Sequence, residues 1–87
     1  MTITVRRFRT AATGYLQRAL VLERGGRLRE AARDARSAAE REPTNWQPWL
    51  ILARIEAERG RVPVALRAAR RARAANPRSP LFRTGAR

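Results

Sequence analysis

The chain has 87 residues and a net charge of +13, and all 20 basic residues are arginine. It contains no cysteine and no histidine, which excludes disulfides, thiolate or imidazole metal sites, a thiol nucleophile and the usual general base of enzymes. Its length allows one small domain with a modest core.

Residues 1–9, "MTITVRRFR", form a basic arm in which only "TITV" alternates as a strand would. No apolar run follows the arm, so it does not read as a secretory leader. From about residue 10, Tyr15, Leu16, Ala19, Leu20 and Leu22 fall at helical spacing, and Gly25 and Gly26 offer the positive φ that ends a helix. A second helix is predicted from about Leu28 to Arg41, with Ala31, Ala32, Ala35, Ala38 and Ala39 on one face. Pro43 stops it, and Thr44 or Asn45 can cap a third helix, whose first turn tolerates Pro48. Gly60 ends that helix, Pro63 opens a fourth, and Asn76–Pro77 closes it. The longest apolar run, Trp49 to Ala53, is far too short to span a membrane, and a cytoplasmic location is expected. Residues 80–87 form a short tail offering Leu81 and Phe82.

Charge is unevenly placed. Residues 1–22 hold four arginines and no acid, residues 23–58 hold seven of each, and residues 59–87 hold nine arginines and no acid. Basic ends of this kind attract polyanions or acidic protein surfaces, although a charge-rich face can also serve only to keep a helical bundle in solution.

Shifting the chain by 34 residues places Gly26 on Gly60, Pro43 on Pro77, Tyr15 on Trp49, Leu16 on Leu50 and Ala19 on Ala53. Ala31, Ala35 and Ala38 fall on Ala65, Ala69 and Ala72. Glycine, proline and aromatic residues are few here, so their common register indicates two copies of a helix–turn–helix unit, about residues 12–45 and 46–79. Small alanines let helix axes approach, and Tyr15, Trp46, Trp49, Leu50 and Leu66 are the side chains expected to fill the gaps between them.

The period, the turn glycine, the spaced alanines and the closing proline resemble the tetratricopeptide repeat. The second copy matches that pattern at Trp49, Leu52, Ala53, Gly60, Ala65, Ala72 and Pro77, and the first at Tyr15, Ala19, Gly26, Ala31, Ala38 and Pro43. The resemblance spans about residues 12–79. It implies an all-α fold of about four antiparallel helices, an α-solenoid, within residues 10–79. Departures are Arg18 in place of leucine, Leu22 and Glu56 in place of an aromatic, and Ala35 and Ala69 in place of a bulky aromatic. These alanines imply closer helices or a leaner core.

The same resemblance implies a concave groove that binds a partner peptide or helix. By register the first copy contributes Thr13, Leu16, Leu20, Glu23 and Arg24, and the second Gln47, Leu50, Arg54, Ala57 and Glu58. Members that clamp a terminal carboxylate use lysine and asparagine where this chain has Leu16, Leu20, Leu50 and Arg54, which argues against that clamp. Leucines with one arginine and rim acids suit an apolar, partly acidic protein partner, while Leu16 and Leu50 can equally be read as packing residues. Repeat proteins ordinarily stack three or more units, so two units raise the expectation of self-association, of a tail folded back as a cap, or of kinship with a larger protein. The C-terminal half is also similar to soluble tails of membrane glycan-processing proteins of GC-rich bacteria, although the initial Met1 argues against a tail.

Two further readings stand beside the groove. Arg67, Arg70, Arg71, Arg73 and Arg78 at one end, with Arg6, Arg7, Phe8 and Arg9 at the other, could contact nucleic acid or another polyanion. In the equivalent first-copy helix, Glu30, Asp34 and Glu40 are expected to pair with arginines three or four residues away. An enzyme is not expected: Glu56 and Glu58 are two apart on one helix, Ser37 and Ser79 lack a base, and "RGGR" is a helix end rather than a phosphate loop. No cofactor is expected.

Overall fold

The computed structural model describes residues 10–76. Among them lie four helices and no strand: α1 (Ala11–Arg24), α2 (Leu28–Arg41), α3 (Trp46–Glu58) and α4 (Val62–Ala75). The basic arm, "TITV", Arg78, Leu81 and Phe82 lie outside the described residues.

Local chemistry sets the helix ends. Thr10 caps α1, its Oγ1 accepting from the Thr13 N–H at 3.2 Å. Of the two cap candidates before α3, Asn45 does the work, accepting from the Gln47 N–H at 3.1 Å. The helix–helix turns share one geometry. Gly26 and Gly60 have φ of 83° and 80°. The N–H groups of Arg27 and Arg61 then reach back to the carbonyls of Leu22 and Glu56, at 2.8 and 2.9 Å. Gly25, expected to share the left-handed role, instead has an ordinary φ of −82°.

The helices pack in chain order, α1 on α2, α2 on α3 and α3 on α4. Helix α2 supplies small residues to the core, with Ala31, Ala35, Ala38 and Ala39 fully buried. Helix α3 supplies the volume through Trp49, Leu52 and Ile55. Large side chains on one helix against alanines on its neighbour are how a short chain closes a core without bulky aromatics on both. Trp49 is anchored by its Nε1–H, which donates to the Pro43 carbonyl at 3.0 Å. Trp46 and Leu50 pack partly buried against this core, as expected.

Two expected gap-fillers behave otherwise. Leu66 is 51% exposed, because no described element covers the outer face of α3 and α4. Tyr15 is only half-buried, and its ring lies under the guanidinium groups of Arg41 (4.6 Å) and Arg18 (5.8 Å).

Ion pairs account for two departures from the repeat pattern. Arg18 reaches from α1 to the buried Asp34 of α2, with Nε–Oδ2 at 2.6 Å and Nη2–Oδ1 at 3.0 Å. Glu56, buried where an aromatic was expected, accepts from Arg59 Nη1 at 3.1 Å and faces Arg36 Nη2 at 3.8 Å. The expectation of neighbour pairing on α2 holds for Glu30, which pairs with Arg27. It fails for Asp34, whose partner lies across on α1. Glu40 has no ion pair among the described residues.

Candidate functional site: the face between α1 and α3

Four of the ten groove residues come together. Thr13, Leu16 and Leu20 on α1 and Gln47 on α3 line one cavity of about 380 Å³. Ala12, Gln17 and Pro48 also line it. Helical spacing makes this possible, since Thr13, Leu16 and Leu20 are three and four residues apart on one face. The rim at the start of α1 is tied down: Thr10 Oγ1 donates to Glu42 Oε2 at 3.2 Å, and Asn45 Nδ2 donates to Glu42 Oε1 at 3.1 Å.

Three more meet at the opposite end of the same two helices. Arg54 donates from Nε to Glu23 Oε2 at 2.9 Å and from Nη2 to Glu23 Oε1. The carboxyl of Glu58 lies near enough to that of Glu23 for each to affect the other's titration. The two acids therefore separate. The Arg54 bonds, with help from the charge of Arg24, hold Glu23 below the usual carboxylate range. The neighbouring Glu23 carboxylate, with its negative charge, pushes Glu58 above that range. Arg54 is held still more firmly protonated by Glu23.

The remaining groove residues go elsewhere. Leu50 and Ala57 line a separate, largely apolar cavity of about 500 Å³ between α3 and α4, with Ile51 and Leu66. Arg54 borders it too. Arg24 is exposed in the last turn of α1.

The arginines of α4 also divide. Arg67 and Arg71 line a third cavity, of about 470 Å³, together with Arg36 and Glu40 of α2. Arg70 and Arg73 are exposed and do not line it.

Sequence reasoning missed the Glu23–Glu58 contact because it compared Glu58 only with Glu56 on the same helix. The signal was present in the repeat register, which puts Glu58 on Arg24 and hence the two α1 and α3 ends side by side. It also missed Arg36 as a neighbour of Arg67 and Arg71.

No helix among the described residues is long and apolar enough to cross a membrane. Comparison with protein-family models, with curated proteins and with solved structures gives no match. What residues 10–76 define is a small all-helical unit with a cavity of mixed apolar and polar character between α1 and α3.

Proposed function

We propose that the chain is a two-unit tetratricopeptide-like module that binds a helix or extended peptide of a partner protein along the face between α1 and α3. One observation carries this reading. Thr13, Leu16, Leu20 and Gln47, drawn from two helices, line a single cavity, and the Glu23–Arg54–Glu58 cluster stands at the opposite end of the same two helices. The leucines supply apolar contact area, the Gln47 amide can bond a peptide backbone, and the net charge of +13 favours a partner that carries acidic residues. The catalytic repertoire is thin, so the role is binding rather than catalysis.

A random peptide library displayed on phage tests the reading. The native protein should enrich sequences combining apolar and acidic residues. The variant Leu16→Glu/Leu20→Glu should not enrich them. Enrichment that survives these substitutions, or none with the native protein, counts against the groove.

A second reading, contact with a polyanion, draws support from the side chains of Arg67, Arg70, Arg71 and Arg73. None of them has a carboxylate partner among the described residues.

A further inference from the structure

The cavity between α2 and α4 is separate from the proposed peptide groove. We propose that it is a binding site for a phosphate monoester carried on an aromatic or other apolar group, with Arg36, Arg67 and Arg71 as the phosphate ligands. Its volume of about 470 Å³ suits a small molecule.

Three guanidinium groups from two helices line this cavity against one carboxylate, that of Glu40. Arg67 and Arg71 are one turn apart on α4, so their side chains project to the same side. Neither has a carboxylate partner among the described residues. Arg36 has only a long ion pair, to Glu56 at 3.8 Å, which leaves most of its five N–H donors unused. A terminal phosphate offers up to two negative charges and three acceptor oxygens, the complement of such a set.

The cavity also has an apolar wall. Trp49 is fixed by its bond to the Pro43 carbonyl, and the Arg71 guanidinium lies 4.3 Å from its ring centroid. That stacking holds Arg71 partly ordered before a ligand arrives and lowers the entropic cost of binding. The half-buried Val64 extends the apolar surface that would receive the body of the ligand.

The repeat register shows that the Arg67–Arg71 pair is specific to the second unit. The first-unit equivalents of Arg67 and Arg71 are Arg33 and Ser37, so the first unit lacks the pair. A diffuse basic face would not need this convergence. Arg70 and Arg73 carry the same charge on the same helix and stay outside the cavity.

Calorimetric titration of the native protein with phenyl phosphate tests the site, and the Trp49 Nε1–H resonance in nuclear magnetic resonance spectra reports where the ligand sits. Saturable binding of one equivalent is expected, with a shift of that resonance. Losing a charge-assisted contact in Arg67→Gln should weaken binding roughly tenfold, and Arg67→Gln/Arg71→Gln should weaken it further. The equally charged Arg70→Gln/Arg73→Gln should stay within about twofold of native, because it changes only the screened general field. Equal losses in both double variants would overturn the proposal in favour of a general field. So would an absence of saturation, or displacement of phenyl phosphate by a single-stranded oligonucleotide at equal phosphate concentration, the last pointing to nucleic acid.

Discussion

Arg54 of α3 grips Glu23 of α1 through two parallel N–H···O bonds, joining the ends of two helices 31 residues apart in sequence. Glu58, one turn beyond Arg54, shares the site as a second carboxyl. The last turns of α1 and α3 therefore hold a cluster with one cation and two acids, and the second acid is the less comfortable.

That asymmetry sets a pH dependence. A carboxyl raised in the folded state favours folding fully below its unfolded value, and that contribution is lost as pH rises through the folded value. Glu58 is such a group, so Glu58→Gln should raise the melting temperature at pH 7 and have no effect well below the ordinary carboxylate range. Glu23 has the opposite sign, with its contribution present above its unfolded value and lost as pH falls through the depressed one. Glu23→Gln should therefore lower the melting temperature at pH 7, with the difference shrinking in acid. Thermal denaturation from pH 3 to 8 checks both.

The two turn glycines of the first unit should respond in opposite directions. Gly26→Ala forces a side chain into the left-handed region and should cost about 1–2 kcal/mol. Gly25 has φ −82°, and an added Cβ would meet only the Val21 and Leu22 carbonyls at 3.6 and 3.7 Å. Gly25→Ala should stabilise by about 0.4–1 kcal/mol by restricting the unfolded chain. Urea titrations of the two variants decide the signs.

Volume in the core rests on α3. Ile55 is fully buried against alanines that cannot expand to fill a void. Ile55→Ala should cost about 2–5 kcal/mol. Leu66→Ala, on the exposed face, should stay within about 0.5 kcal/mol in the same urea experiment.

Helix positions, the turn glycine of each unit and the buried alanines were legible in the sequence because each rests on local chemistry: a 3.6-residue period, a proline, a positive φ. Asn45 as cap and Trp49 as core follow in the same way. What lay beyond reach was where long side chains go across helices. Arg18 and Glu56 read as departures from a pattern, yet Arg18 pairs with Asp34 on the neighbouring helix, and Glu56 lies between Arg59 at the end of its own helix and Arg36 on α2. Leu66 reads as core from its spacing, and its exposure depends on what covers α3 and α4, which periodicity does not encode. The register named ten positions but not their division, since Leu50 and Ala57 turn toward α4 while Leu16 and Leu20 face the cavity beside α3.

Replacing the leucines of the groove should separate binding from folding. Leu16 and Leu20 are only half-buried, so Leu16→Glu/Leu20→Glu should retain the native helical circular dichroism while losing at least tenfold in affinity for a selected peptide. Parallel circular dichroism and fluorescence anisotropy measurements distinguish the two effects.

The measurement to make first is amide nuclear magnetic resonance of the labelled protein titrated with the tightest peptide selected from the library. Shifts concentrated at Thr13, Leu16, Leu20 and Gln47, extending to Arg54 and absent from the exposed face of α4, are expected of a peptide lying between α1 and α3. Shifts confined to α2 and α4, or spread evenly over the arginines, would contradict the groove as the binding surface.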